Sequence, residues 1–515
     1  MNKFRFSLIC LFFAAIMQAQ QNDIVVIIRP VTQGYNYVKS ADIQATEYMF
    51  PERIDAFEID EMDGVAAVQL RGVSKNGKSL NKSGDFVLYD LKTQMPRWSK
   101  KINFPEENAT LTGGRPFLLK PYSVTALDEA TGAEKWTGKT QIFFADKKTG
   151  TGVGYKFNSL NPASDNLEGI DLNNGNTIWK RNLDRTYGWN DITKLNDSLI
   201  LITSGGLYAI NLKNGLGWDY KAHTGKKQTG EAVAKGLGSV VLGVLTGVTV
   251  IPNVDVITGI VSNTLSDSTG IYLASAGQIS RLNSNGNEIW TTQLPKDLCS
   301  ASAVYRKNGN IYLINKGIAY ENGNMREYGR PFVAVFNEKD GAQVYFRSFD
   351  EKKLILNDFE VQGDTINLLF HNKIVQLSLK TDTVLSEKSF DVKNSGYLYS
   401  FTNDKTFFQH DDTFVPARQN RSKYLITTST GNVLILNDKM ETEQKLSTGE
   451  FHKKLFESAT CKLLYKEGSL AVVSHDGKRL AEIKTSPKVL LKGSKLYEAV
   501  DKVLREIDLD DIFMK

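Results

Sequence analysis

The stretch from Asp171 to Trp179, DLNNGNTIW, decides the fold, because four other stretches are built the same way. They are Asp128 to Trp136 (DEATGAEKW), Asn211 to Trp218 (NLKNGLGW), Asn283 to Trp290 (NSNGNEIW) and Asn337 to Tyr345 (NEKDGAQVY). Each begins at an Asp or Asn, carries a Gly three or four residues later, and closes on an aromatic three or four residues beyond that. A unit recurring about every 40 residues marks a solenoid, propeller or array.

Working outward, each copy is preceded by an alternating run such as SVTALD, LYAINL or FVAVFN. Period-two alternation marks a strand with one buried face. The Asp or Asn side chain can accept from the backbone two residues on, and the Gly accepts the positive φ of a tight hairpin or its bulge. The aromatic then opens the returning strand, and its repeated placement predicts packing into the neighbouring unit. Weaker copies extend the series. Asp90 to Trp98 has Gln94 in the glycine place, the runs from Ile374 and Val433 keep the rhythm without Gly or Trp, and Leu470 to Lys484 has Gly477 in its turn. The count is nine hairpins and a terminal fragment.

The structural aromatics therefore form a column, Trp98, Trp136, Trp179, Trp218, Trp290 and Tyr345, with spacings of 38, 43, 39, 72 and 55 residues. The two long gaps predict insertions. The ends predict ring closure, with the strand IVVIIRPV from Ile24 available to pair with the C-terminal runs LYEAV and VLREIDL. Leu496, Val500, Val503, Leu504 and Ile507 also fit helical spacing, but the repeat context favours strands.

The pattern of apolar strand, then Asp-x-x-x-Gly-x-x-x-Trp, resembles the repeat of pyrroloquinoline-quinone-type, or quinoprotein-like, β-propellers. The resemblance covers most of the chain and is strongest from about residue 84 to 350. It implies an all-β propeller of four-stranded antiparallel blades around a channel, with eight blades expected and seven the alternative. It also implies an enzyme reading, a quinone- or Ca²⁺-dependent oxidoreductase with a stacking Trp, oxygen ligands and often a disulfide between adjacent cysteines. No adjacent cysteines occur here. Trp189, Asn190 and Asp191, in YGWND, are the one candidate cofactor-binding cluster of aromatic and oxygen donors, and a loop aromatic covering a blade edge is the favoured explanation of it.

Other chemistry is not encoded in recognisable form. H-E-x-x-H and G-x-S-x-G are absent, and the five histidines have no metal-like spacing. Asp171, Asn173 and Asn174 look like oxygen ligands but lie in a repeat turn. No catalytic residue, metal site or cofactor is expected, and the resemblance specifies fold rather than chemistry.

Lys3 and Arg5 precede an apolar run from Leu8 to Met17, which reads as a secretory signal peptide over residues 1–19 cleaved after Ala19. Ile9 before Cys10 does not fit a lipid anchor. Without the leader the chain has 61 basic and 58 acidic residues and no dense cationic run, so no nucleic-acid partner is expected. Cys299 and Cys461 remain, either bridged or separately buried.

The most distinctive departure from the repeat is an apolar, glycine-rich insertion at about 229–266. From Val233 to Ile251 the single charge is Lys235, and Val240, Leu242, Val244, Leu245 and Ile251 are its candidate partner-binding residues. Three roles fit: a cap on the propeller, a partner-binding element, or a membrane-inserting one. The sequence thus predicts an exported, non-catalytic propeller, a binding or assembly scaffold in the periplasm or envelope. A protein or other envelope component is its expected partner, with an oxidoreductase and a carbohydrate-binding propeller as alternatives.

Overall fold

The structure is a computed structural model that describes residues 24–74, 77–156, 166–187, 191–227, 241–242, 249–250, 256–321, 324–351, 353–395, 397–400, 423–428, 433–437, 441–446, 453–457, 461–466, 468–474, 478–486 and 489–513. Its strands assemble into successive four-stranded antiparallel blades, spanning 54–103, 108–138, 140–182, 191–220, 265–293, 302–348, 356–389, 398–446 and 453–484. A tenth blade joins Val489–Lys492, Lys495–Val500 and Val503–Asp508 to Ala41–Met49 from the other end of the chain.

Ten four-stranded units among the described residues exceed the eight expected from the resemblance. The nine hairpins and terminal fragment each became a blade, so none of the weak copies is decoration. The C-terminal segment is strand, with Lys495–Val500 and Val503–Asp508 paired antiparallel, because Ala41–Met49 offers Val503–Asp508 an edge to pair with.

No single core serves the molecule. The apolar clusters lie between blades, each shared by two consecutive ones. Trp98 and Phe86 of the first blade pack with Ala109 and Leu118 of the second, and Trp179 and Val153 of the third with Ile200 and Ile210 of the fourth. The series ends with Tyr497 and Leu504 of the tenth against Ile59 and Val68 of the first. A blade's second and third strands are consequently buried on both faces, as in Val65–Leu70.

The repeat turn explains the aromatic column. Asp or Asn accepts the backbone N–H two residues on, as in Asn173 N to Asp171 Oδ1 (2.8 Å) and Lys213 N to Asn211 Oδ1 (2.9 Å). The turn glycine then takes a positive φ, 75° at Gly175 and 70° at Gly215. That glycine has a second duty. The indole of the preceding blade lies against it, so a Cβ on Gly215 would stand 2.7 Å from Trp179 Cδ2. Meanwhile the indole N–H donates to the carbonyl one residue after the turn Asp or Asn: Trp98 to Glu129 (3.1 Å), Trp136 to Leu172 (3.0 Å), Trp179 to Leu212 (2.7 Å), Trp218 to Ser284 (3.0 Å) and Trp290 to Glu338 (2.9 Å).

Among the described residues two repeat turns depart from glycine and keep the left-handed conformation, Gln94 (φ 60°) and Asp382 (φ 52°). In both, the facing aromatic is a tyrosine. Tyr345 Oη donates to Asp382 Oδ1 at 2.8 Å, and Tyr48 of the closing blade hydrogen-bonds Gln94.

Closure depends on two N-terminal strands. Ala41–Met49 pairs with Val503–Asp508, and Ile27–Asn36 pairs with Ala41–Met49 and, through Gly34–Asn36, with the outer strand of the ninth blade. The strand from Ile24, expected to pair with the C-terminal runs, does not; Ala41–Met49 takes that place, and Ile27–Asn36 lies between it and the ninth blade in the same sheet. The seam is ionic and largely buried. Arg505 Nε donates to Glu47 Oε1 (2.7 Å) and its Nη1 to Glu498 Oε1 (2.8 Å), while Arg29 Nε donates to Glu47 Oε2 (2.8 Å) and Ser486 N to Glu498 Oε2 (2.6 Å). Burial would raise the Glu47 carboxyl, but Arg505 and Arg29 overcome it and hold that group below its ordinary value of 4.5.

Two predictions follow from these contacts. Trp179→Ala should destabilise by about 3–5 kcal/mol, and Gly215→Ala by roughly 2 kcal/mol from backbone strain and the clash with the indole. In the Trp179→Ala background the Gly215 substitution should cost only about 1 kcal/mol, and urea midpoints that simply add would refute the shared contact. At the seam, the depressed Glu47 group stabilises the fold above its unfolded pKa and loses that contribution as pH falls through its folded value. Urea titrations should therefore show wild-type stability declining on acidification below about pH 4.5 more steeply than that of Glu47→Gln. Arg505→Ala should cost about 3–5 kcal/mol at pH 7, because buried Glu498 loses its cation and buried Glu47 keeps only the exposed Arg29.

Candidate functional site: an accessory sheet built by two insertions

Both long gaps in the aromatic column are insertions, and the structure joins them. The first lies between the last strand of the fourth blade and the first strand of the fifth. The second lies between the second and third strands of the sixth. In an antiparallel blade these two kinds of connection emerge at the same end of the ring. There, Gly225–Lys227, Val256–Thr258, Ile318–Glu321 and Asn324–Glu327 form a separate four-stranded sheet in that order.

Its register fixes the geometry of whatever it carries. Lys227 pairs with Val256, so the intervening residues 228–255 leave and return side by side. Ile257 pairs with Glu321 and Thr258 with Tyr320, which sets the Ile318–Glu327 hairpin tip at that same end. The base is anchored in the propeller. Ile257, Ile260 and Ala319 are buried with Tyr272, Trp290 and Phe332 of the fifth and sixth blades. Thr224 Oγ1 donates to Ser204 O at 2.5 Å, and Ile260 N donates to Thr224 O at 2.9 Å. Gly259, at φ 77°, lies under the Tyr320 ring.

The outer edge is open in character. All four residues of Asn324–Glu327 are exposed, Met325 among them, and Arg326 forms an ion pair with Glu321. No group of three or more His, Cys, Asp or Glu able to hold a metal ion occurs among the described residues. The arrangement offers a rigid stalk with a backbone edge and an apolar insertion.

The cluster singled out around YGWND adjoins this stalk. Trp189 and Asn190 lie outside the described residues, but their neighbours do not. The Tyr187 ring packs on Gly225, the first residue of the stalk, where a Cβ would be 2.4 Å from the ring. Arg185 stacks on Tyr155 at 3.8 Å from the ring centre. Burial, with Asp184 nearby, raises the Tyr187 hydroxyl above its usual range. Asp191 opens the first strand of the fourth blade and accepts from Thr193 Oγ1 at 3.0 Å.

Of the insertion residues, Val240, Val244, Leu245 and Ile251 lie outside the described residues, as does the leader. Leu242 sits in the two-residue strand Val241–Leu242, opposite Thr249. The segment read as 229–266 is not all appendage: Val256–Thr258 belongs to the stalk, Ile260 and Val261 are buried, and Leu265–Asp267 is the first strand of the fifth blade. No helix among the described residues is long and apolar enough to cross a membrane. Cys299 and Cys461 are not bridged to each other and are buried in different inter-blade clusters. Asp171 and Asn174 spend their oxygens within the turn, with Asn174 Nδ2 donating to Asp171 Oδ2 at 2.8 Å.

Sequence reading missed two features. The pairing partner of the first insertion was signalled only by the 55-residue gap. Gly72 to Ser79, GVSKNGKS, has the spacing of a phosphate-binding loop. It sits in the connection between the second and third strands of the first blade, where Val73 bridges to Leu80, so the helix such a loop requires does not follow it.

A family model described as outer membrane protein assembly factor BamB matches residues 69–251, which covers the first blades and most of the first insertion. The quinoprotein-like repeat is shared with that family over these residues. No curated protein matches the sequence. Among solved structures, BamB from Moraxella catarrhalis is similar at 14% identity, over 74% of this chain and 97% of that one, with a TM-score of 0.34. The computationally designed Ika8 protein is 11% identical over 72% and 97%, TM-score 0.36, and Raptor from Chaetomium thermophilum 9% over 62% and 27%, TM-score 0.33.

Proposed function

We propose that this chain is an exported, non-catalytic propeller scaffold of the cell envelope that holds a partner protein at the end of the ring bearing the accessory sheet. The observation that carries this reading is the pairing of two insertions, distant in sequence, into one anchored sheet that presents residues 228–255. Loops on a rigid scaffold are where binding functions concentrate, and here two blades contribute to one platform. The family matched over residues 69–251 is described as an outer-membrane assembly factor, which supports a protein partner and an envelope location. The apolar composition of 228–255 suits burial against another protein.

The test is replacement of 228–255 by a two-residue Asn-Gly turn joining Lys227 to Val256. The thermal midpoint should move by less than about 3 °C, because the stalk and blades keep their contacts. Cross-linking and mass spectrometry in the native envelope should find a protein attached to the full chain and missing from the shortened one. A collapse of the midpoint, or the same cross-linked partner on both proteins, would refute the assignment.

A further inference from the structure

In eight of the ten blades the outer strand carries one bulge, and the bulge residue immediately precedes the repeat aromatic where the blade has one. It is identified by register. Val335 pairs with Tyr345 and Phe336 with Gln343, which leaves Val344 unpaired between them. The same reading gives Arg97, Lys135, Ile178, Ile289, Leu385, Glu443 and Leu480 in the first, second, third, fifth, seventh, eighth and ninth blades. Charged residues at such a place are how an open edge discourages further strands. The first, second and eighth blades obey. In the third, fifth, sixth and seventh the bulge residue is apolar and 44–61% exposed.

The ninth blade shows what covers such an edge. Its bulge residue, Leu480, packs into the cluster under the N-terminal strand. The Tyr37 N–H donates to Leu480 O (2.9 Å), and Gly34–Asn36 pair with Ile483–Ala481 just beyond the bulge. A Cβ on Gly34 would lie 2.2 Å from Glu482 O, so the added strand sits in close backbone contact.

Among the described residues the seventh blade offers the longest open counterpart. Its outer strand, Thr383–Ser389, has seven residues and no proline, and both Val384 and Leu385 are exposed. The nine-residue outer strand of the first blade contains Pro96 and charged Arg97, Lys100 and Lys101. Around the seventh-blade edge the carboxylates are engaged, Asp382 by Arg347 (3.0 Å) and Glu387 by Lys373 (3.0 Å). Lys393 lies beside the Asp391 carboxylate, which accepts from its N–H (3.0 Å), but Lys380 and Lys388 meet no carboxylate among the described residues. Lys388 instead lies 5.6 Å from the centre of the Phe390 ring. The edge therefore carries surplus positive charge at both ends.

We propose that the seventh blade accepts an extended strand from a partner polypeptide, added antiparallel along Ser386–Ser389 as Gly34–Asn36 adds to Ala481–Ile483. The strand has apolar side chains over Val384 and Leu385 and acidic residues at its ends, facing Lys380 and Lys388. Backbone hydrogen bonds supply the attachment and the alternate side chains and charges the selectivity. This surface is separate from the accessory sheet, and its test does not depend on that sheet's role.

The probe is the blocked peptide Glu-Val-Thr-Val-Thr-Val-Glu added to the full chain, with amide hydrogen exchange read along Leu385–Ser389. Saturating peptide should slow exchange there by about tenfold or more, and Leu385→Lys should abolish the effect with an unchanged melting midpoint, since the residue is exposed. A Lys380→Glu, Lys388→Glu variant should bind about tenfold more weakly, and 0.5 M salt should weaken wild-type binding similarly. Absence of protection at saturation would overturn the proposal, as would protection of Asn324–Glu327 in its place. Protection that rises with protein concentration without peptide would also overturn it, because the occupant would then be a second copy of this chain.

Discussion

An indole laid on a glycine turn is the contact on which the ring depends. A blade alone has two apolar faces and no means of covering either, so each must borrow a neighbour. The Trp of one blade reaches the next through two restraints at once, the flat fit over a residue with no Cβ and the N–H bond to a turn carbonyl. The fit sets the approach distance and the hydrogen bond sets the rotation. Since the turn that receives the indole also starts the next outgoing strand, the geometry of one junction is handed to the following one.

The departures support this account. Gln94 and Asp382 keep the left-handed turn without glycine, and each faces a tyrosine. A phenol has its donor at the tip, so it meets a polar side chain at the turn where an indole would need empty space. Aromatic and turn residue are thus matched across the junction. The seam at the tenth blade uses different means, Arg505 shared by the buried Glu47 and Glu498, because there the strands come from opposite ends of the chain and local turn chemistry cannot join them.

The candidate site was legible in part. Glycine-rich, uncharged composition and the 72-residue spacing marked the first insertion, and the 55-residue spacing marked the second. Their pairing was not readable, since Ile257 and Glu321 meet only because the fourth, fifth and sixth blades are neighbours with connections at one end. The contact of Tyr187 with Gly225 is of the same kind, and it ties the YGWND loop to the stalk although some 35 residues separate them in sequence.

By itself the sequence determined the unit: strand, Asp or Asn turn, positive-φ glycine, bulge and aromatic. Each is a matter of local hydrogen bonds, sterics and period-two burial, and so is written within a few residues. It also carried the count, since nine hairpins and a terminal fragment became ten blades, and only the resemblance suggested eight. The tertiary structure decided how the units close, with Ala41–Met49 completing a blade made almost entirely of the C-terminus. It decided too which open edges were covered, because strand pairing between distant segments depends on where the ring brings them, and backbone hydrogen bonds carry no sequence label.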